Sequence, residues 1–330
     1  MNASYHLNLR RLMSISLFNN YLDRIFSKFY NICYENYKGL TKNPRWLLMR
    51  KIARFKTGRT IMIFLLKPSK NLSSLVVNES NSCFTDVNVD DVVNTLKTEG
   101  LYLGINLPQE IVKEIVEFAY STVCYGNRKT NMGFFYHQKQ QAQLKSGKIF
   151  IIGSYFNTSL LCPAIKKLQN DPKLLAIAAR YLNAQAVHQG NMMWWSFSGE
   201  TTYHQKSQAA QLFHYDIDDY RFIKFFFYLT DVDDQSGPHI CVRGSHNKKK
   251  LSYLWLRKRE TDEEIIDYYG SESLVKICGK AGFGFVEDPL CFHKGITPTD
   301  KDRLILQIEF ARTDYGMQHD FRASSLLKCI

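Results

Sequence analysis

The sequence predicts a mostly β fold with flanking helices, an antiparallel sandwich or barrel, preceded by a basic helical N-terminal arm. Three observations predict it. After Ala186, short β-branched and aromatic runs alternate with turn signals. Before that point, apolar residues recur at helical spacing. The excess positive charge is confined to the first 70 residues.

The arm comes first. Residues 1–70 hold 14 lysines and arginines against two acids, Asp23 and Glu35, which accounts for the whole formal net charge of +12. The remaining 260 residues hold 29 charges of each sign. Between Leu12 and Tyr37, the residues Phe18, Tyr21, Leu22, Ile25, Phe26, Phe29, Tyr30 and Cys33 follow the spacing of an amphipathic helix, with Arg24 and Lys28 among them. Gly39 and the Asn43-Pro44 pair are stop and turn signals. Arg45 to Lys70 is a second basic stretch around the apolar run Ile61–Leu66. Residues 68–87 are rich in serine and asparagine and read as a linker. The expected organisation is therefore an arm and linker over 1–87 and a main domain over 88–330. The 1–70 arm is expected to meet an acidic partner or an anionic membrane surface, with docking on the main domain as the competing reading. Nucleic acid is not the expected partner.

In the main domain, Val89–Lys97 reads as a short helix and Gly100–Asn106 as a strand. Pro108 opens a helix with Ile111, Val112, Ile115, Val116 and Ala119 on one face. One further helix is expected over Ala164–Leu182. The strand candidates follow: Val187–Phe197, Ala210–Asp216, Phe222–Leu229, Ile240–Val242, Val275–Cys278, Gly284–Val286 and Arg303–Ala311, interrupted by a helix at Thr261–Tyr269.

Composition narrows the function classes. Hydrophobic residues make up 45% and charged residues 22%, so wholesale disorder is excluded. The longest apolar run is too short to cross a bilayer. Met1–Arg11 is polar and basic, so no secretory signal is expected there. The eight cysteines lie far apart with no C-x-x-C pair, which argues against zinc ribbons and dithiol redox motifs. A reduced, cytoplasmic protein is expected, peripheral at a membrane if the arm binds one.

The chemistry centres on Phe213-His-Tyr-Asp216. On a strand, His214 and Asp216 project from the same face about 7 Å apart. An imidazole and a carboxylate on one face are two corners of a metal site. His293, 77 residues after Asp216, is the best third ligand. Two histidines and one carboxylate leave coordination positions open, the arrangement of non-haem Fe(II) oxygenases. Arg303 opens an apolar strand ten residues later, where its planar fork suits a dicarboxylate. Lys224 shares strand parity with Phe226 and Tyr228. It is expected either to bind a substrate carboxylate or phosphate, or to snorkel from a sheet edge. Cys291, His239, His246 and the Met192-Met-Trp-Trp195 run read first as core or turn residues.

Four stretches occur together: Gln211–Asp216, Lys224–Val232, Ser236–His246, and Phe292–Thr299 followed by Arg303. In order and spacing they resemble the phytanoyl-CoA dioxygenase family over roughly residues 88–312. The resemblance implies a double-stranded β-helix, a cupin-like jelly roll, with Fe(II) as the metal and 2-oxoglutarate and O2 as cosubstrates. It carries His214, Asp216 and His293 over as iron ligands and Arg303 as the clamp on 2-oxoglutarate. Tyr228 falls where the family has an aromatic residue beside the cosubstrate. Asp216 fills the position that halogenating relatives leave small, which disfavours halogenation. The implied activity is a dioxygenase, hydroxylating a small-molecule, lipid, natural-product or carrier-tethered substrate and releasing succinate and CO2. A non-catalytic jelly-roll scaffold and a membrane- or carrier-associated subunit are the alternatives.

Overall fold

The computed structural model describes residues 37, 39–66, 81–202, 205, 210–255 and 257–330. The chain divides into two compact units, residues 1–51 and 52–330. Apart from Tyr37, the helix expected over 12–37 lies outside the described residues. In the first unit a helix begins at Pro44 and runs to Ile52.

The division between Lys51 and Ile52 differs from the boundary expected after residue 87. The reason is that much of the segment between them is bonded into the second unit. Arg59, on the helix Lys56–Leu65, is buried. Its guanidinium donates to Ala53 O at 2.9 Å and His246 O at 3.4 Å. Arg312 Nη2 donates to Leu66 O at 2.9 Å. Ser82 Oγ and Cys83 N donate to the Asp171 carboxylate at 2.8 and 2.9 Å. Phe84 is 2% exposed and stacks on Phe227. Charge and serine content mark a surface; they do not register one arginine or one phenylalanine that turns inward.

Among the described residues the second unit is built on eleven strands: β1 Leu101–Leu103, β2 Cys124–Gly126, β3 Gly133–Phe134, β4 Ile152–Tyr155, β5 Val187–Ser196, β6 Phe222–Tyr228, β7 His239–Val242, β8 Leu274–Ile277, β9 Gly284–Glu287, β10 His293–Gly295 and β11 Arg303–Ala311. They form an eight-stranded sheet, ordered β1-β9-β6-β11-β5-β4-β2-β3, and a three-stranded sheet, β10-β7-β8. All pairings within the two sheets are antiparallel.

Alternation along β6 and β11 separates the two faces of the large sheet. Phe225, Phe227, Leu304, Leu306, Ile308 and Phe310 pack on one side with Leu96, Ile115, Ile165, Ile177 and Trp195. That is the helix-covered face. Phe226, Tyr228 and Ile305 lie on the other side, packed with Phe285 of β9, Cys241 of β7 and Ile277 of β8. The two sheets therefore face each other around a second, smaller core, the double-stranded β-helix. Truncating Phe227 to alanine in the larger core costs about 3–5 kcal/mol.

The helices follow from their ends. Asn88 caps Val89–Glu99 by accepting from Asp90 N and Asp91 N, and Gly100 ends it in the left-handed region at φ 76°. The helix expected over Ala164–Leu182 is two, Pro163–Gln169 and Pro172–Leu182. Asp171 caps the second and Pro172 opens it, so the chain breaks there despite continuous apolar spacing. Among the described residues no helix is long and apolar enough to cross a membrane.

Candidate active site

The segment expected as the strand Ala210–Asp216 forms no regular strand: Ala210 holds left-handed backbone at φ 58°, and Phe213 and His214 join their neighbours through isolated bridges. His214 and His293 exchange backbone bonds, His214 N to His293 O at 3.0 Å and His293 N to His214 O at 2.8 Å. Asp216 N donates to Pro289 O at 2.8 Å, and Glu260 N donates to Phe213 O at 2.9 Å. These bonds hold His214 directly across from His293.

The three side chains converge. One ligating atom from each of His214, Asp216 and His293 lies within 4.8 Å of the other two. His214 Nε2 stands 3.9 Å from Asp216 Oδ1, and His293 Nε2 stands 3.6 Å from Asp216 Oδ2. Both separations exceed a hydrogen bond, so the groups surround a gap instead of bonding one another. Each imidazole is oriented through its far nitrogen: His214 Nδ1 is 2.9 Å from Leu212 O, and His293 Nδ1 is 3.0 Å from Cys291 O. With Nδ1 donating, both Nε2 atoms face the gap. Burial and the neighbouring His293 hold His214 well below the usual imidazole range, as a neutral ligand requires.

A ring of charge supports this centre. Glu287 Oε1 lies 2.8 Å from His293 Nδ1, and Glu287 Oε2 lies 2.8 Å from His239 Nε2. Burial opposes a charged Glu287, yet His293 and His239 hold its carboxyl at about 2. Burial would likewise lower His293, but Glu287 and Asp216 raise it to about 10, so a metal ion entering the gap displaces the proton on its Nε2.

Lys224 does point inward, as its parity with Tyr228 requires, but its charge is already engaged. Its Nζ donates to Asp216 Oδ2 at 2.7 Å and lies 3.4 Å from both Asp218 Oδ2 and Glu309 Oε2. Burial disfavours that ammonium, and Asp216, Glu309 and Asp218 more than compensate, raising its pKa well above the usual lysine range. Neither a substrate anion nor a snorkelling edge is needed to explain it. Asp218, Glu309 and His319 form a second group of donor atoms within 4.8 Å. There the Lys224 ammonium supplies the cation.

Arg303 opens β11 opposite Ser196. It is buried, and its guanidinium donates to Gly237 O and, at 3.0 Å, to Ser196 Oγ. Desolvation lowers its pKa, with Tyr228 opposing. An added Cβ on Gly295 would stand 3.3 Å from Arg303 Nη2. Gly295 is two residues from His293 on β10, so both positions face one side, about 7 Å apart along the strand. The missing side chain leaves room between Arg303 and the histidine. Tyr228 is fully buried beside Arg303; its hydroxyl donates to Ile277 O at 2.8 Å and accepts from His239 N at 2.9 Å. It offers the cavity a ring wall, with its hydroxyl spent on backbone.

Along the inner face of β11, Arg303 Nε, Gln307 Nε2 and both Glu309 oxygens are buried without a hydrogen-bond partner. Such atoms fit a cavity that receives a cation and a polar cosubstrate. The Met-Met-Trp-Trp run divides by parity. Met193 and Trp195 lie in the helix-covered core, while Met192 and Trp194 line a pocket with Arg128, Ser154 and His319. Cys291 is a buried neighbour of His246 Nδ1 at 3.4 Å.

Sequence reasoning missed Glu287, His239, Asp218 and Glu309. Signals existed. Glu287 is the acid that ends the apolar strand Gly284–Glu287, and Asp218 repeats the two-residue step from Asp216. In Arg303–Ala311, Arg303, Gln307 and Glu309 all fall on one alternating face.

No curated protein sequence matches the chain. Among solved structures, it is similar to HygX from Streptomyces hygroscopicus with nickel and 2-oxoglutarate bound (14% identity, 72% of this chain and 93% of that one, TM-score 0.46). It is also similar to the non-heme alpha ketoglutarate dependent carbocyclase SnoK from nogalamycin biosynthesis (14% identity, 71% and 87%, TM-score 0.46). A third is the related epimerase SnoN (14% identity, 67% and 81%, TM-score 0.45). The family model for phytanoyl-CoA dioxygenase (PhyH) matches residues 130–304, more than half of the chain. That span runs from before β3 to the second residue of β11 and contains His214, Asp216, His293 and Arg303. The chain belongs to the phytanoyl-CoA dioxygenase family and is an Fe(II)- and 2-oxoglutarate-dependent oxidoreductase.

Proposed function

We propose that His214, Asp216 and His293 hold the ferrous ion, that Arg303 anchors the far carboxylate of 2-oxoglutarate, and that the reaction hydroxylates a small-molecule, lipid or natural-product substrate. The observation that carries this reading is the convergence of two Nε2 atoms and one carboxylate on a shared gap, with both Nδ1 atoms turned to backbone carbonyls. When bound, ferrous iron couples oxidative decarboxylation of 2-oxoglutarate, to succinate and CO2, with oxidation of the substrate by O2.

The chain's own residues prepare that centre. Leu212 O and Cys291 O fix the two imidazole tautomers. Lys224 fixes one oxygen of Asp216. Arg303, desolvated and held by Gly237 and Ser196, presents a pre-oriented fork. Gly295 keeps the space before it open. Phe226, Phe285 and Ile305 dry the interior. Residues 1–51, with Arg45, Arg50 and Lys51 among their cations, are assigned to contact with an anionic surface, either an acidic partner or a membrane.

The test is Asp216→Ala. The variant should keep its circular dichroism spectrum, lose stoichiometric metal binding and stop consuming 2-oxoglutarate. A variant that bound a full equivalent of iron and turned over at the wild-type rate would show that these three residues are not the ligand set.

A further inference from the structure

Two arginines, Arg128 and Arg259, stand beside the candidate metal centre with no hydrogen bond or ion pair among the described residues. Arg128 lies in the turn between β2 and β3, where Asn127 and Arg128 both hold left-handed backbone at φ 52° and 60°. Non-glycine residues adopt that region at a cost. Asn127 stabilises the turn by donating to Ile149 O and accepting from Ile151 N, each at 2.9 Å. The turn points Arg128 at the pocket lined by Met192, Trp194 and His319. The residue is exposed; desolvation on folding lowers its pKa, and the charge of Asp216 opposes.

Arg259 approaches on a different element, the link between the helices Leu251–Trp255 and Asp262–Tyr269. Its neighbour Glu260 bridges to Phe213, so Arg259 is fixed next to the segment that carries His214. Its Nη1 is buried with no hydrogen-bond partner. Arg259 feels the charge of Asp216 and of Arg128, and His214 in turn feels Arg259.

Asp320 shares the pocket with Arg128, and its Oδ2 accepts from Thr158 Oγ1 at 3.1 Å. Among the described residues, neither guanidinium has a hydrogen bond or an ion pair. Asp216 is engaged by Lys224 at 2.7 Å, and Arg257 is spent on Tyr215 O at 2.7 Å. The stretch from Thr201 to Tyr215 contains no acid in its sequence, so it has no carboxylate to offer. Two like charges near one metal ligand, one of them with a buried and unbonded Nη1 on Arg259, favour an anion between them. Arg303 is held on Gly237 O and Ser196 Oγ at the start of β11, so the cosubstrate clamp is a separate cationic position.

We propose that Arg128 and Arg259 form an anion clamp for the substrate, so that the molecule oxidised here carries a carboxylate or phosphoryl group close to the carbon that reacts. The proposal rests on His214, Asp216 and His293 being the metal ligands. It narrows the substrate from small molecules in general to anionic ones, and it gives the two loops a role in specificity.

The test uses the full chain loaded with Ni(II) and 2-oxoglutarate, titrated calorimetrically with inorganic phosphate and with decanoate as probes. The wild type should bind one equivalent of at least one probe, and which one binds separates a phosphoryl from a carboxylate group. Arg128→Gln and Arg259→Gln should each weaken that binding at least about tenfold, as expected for a lost charge-assisted hydrogen bond. Both variants should bind Ni(II) and 2-oxoglutarate like the wild type, and the exposed-surface control Lys145→Gln should bind the probe unchanged. Failure of the wild type to bind either probe, or unchanged binding in both arginine variants, overturns the clamp while leaving the metal centre standing. A tenfold loss of 2-oxoglutarate binding in the variants overturns it differently, by making the pair a cosubstrate anchor. A wild type that binds probe but neither Ni(II) nor 2-oxoglutarate overturns the metal-site reading, and the clamp's link to a substrate with it.

Discussion

Replacing Lys224 with methionine separates the role read from the structure from the one expected of the residue at first sight. In the structure its ammonium sits among three carboxylates, 2.7 Å from Asp216 and 3.4 Å from Asp218 and from Glu309. Its side chain is 7% exposed, and that of Glu309 is 0% exposed, so water screens little of this interaction. Removing one partner from a buried ion pair destabilises by about 3–5 kcal/mol, because the charges left behind are uncompensated. For a domain of this size about 2 °C accompanies each kcal/mol, so the midpoint measured in a chelator should fall by roughly 6–10 °C. The same variant releases Asp216 Oδ2, and loss of an outer-shell partner typically weakens metal binding about 10–100-fold. Two assays follow: thermal unfolding in chelator, and calorimetric titration with Ni(II). Adding Glu309→Gln should recover part of the stability, since it removes one of the stranded charges. If Lys224→Met kept the wild-type midpoint and the wild-type Ni(II) affinity while losing only substrate oxidation, the ion-pair argument would be refuted and Lys224 would return to the substrate.

Arg303→Ala should raise the KM for 2-oxoglutarate by about 30-fold to several thousand-fold, the equivalent of losing a buried charge pair worth about 2–5 kcal/mol. Gly295→Val should do the same by steric means: the first added carbon already stands 3.3 Å from Arg303 Nη2, so 2-oxoglutarate binding should fall while Ni(II) binding persists. Glu287→Gln keeps the shape but removes the charge beside His293 and His239, and should weaken Ni(II) binding about 10–100-fold in calorimetry.

Much of this was legible because strand parity is a strong local rule. Arg303–Ala311 was read with the same ends that β11 shows, and β5 and β6 differ from their expected ranges by one residue at the C-terminal end. The same-face placement of His214 and Asp216 survives even though their segment is held by bridges rather than by a regular ladder. Parity also placed Lys224 inward correctly. It could not name the lysine's partner, because Glu309 comes from a strand 85 residues later and meets it only through the β6–β11 register. The short strands β2, β3 and β4 were invisible, being two to four residues long with no room for a pattern. The break at Asp171-Pro172 was a readable cap outvoted by apolar spacing on both sides. Phe84 and Arg59 turn inward in stretches whose composition signals surface, and composition averages over the single residues that matter.

The buried charges decide between an enzyme interior and a retained scaffold. Four carboxylates, from Asp216, Asp218, Glu287 and Glu309, crowd around one lysine and the histidines His239, His293 and His319. A barrel kept only for its shape gains nothing from this arrangement, since well-packed apolar residues in place of buried ion pairs are often equally or more stable. Each buried polar atom left without a hydrogen bond costs about 1–3 kcal/mol, and β11 holds three that are also outside any ion pair: Glu309 Oε1, Gln307 Nε2 and Arg303 Nε. All three lie on the inner face of β11, which pairs with β6, the strand that carries Lys224 and Tyr228. Negative charge concentrates beside the gap between His214 and His293, and the unpaired donors of Gln307 and Arg303 follow along the same inner face of β11. A divalent cation answers the first need and a dicarboxylate the second, so the unmet charge and donors along β11 lie where the proposed metal and cosubstrate bind.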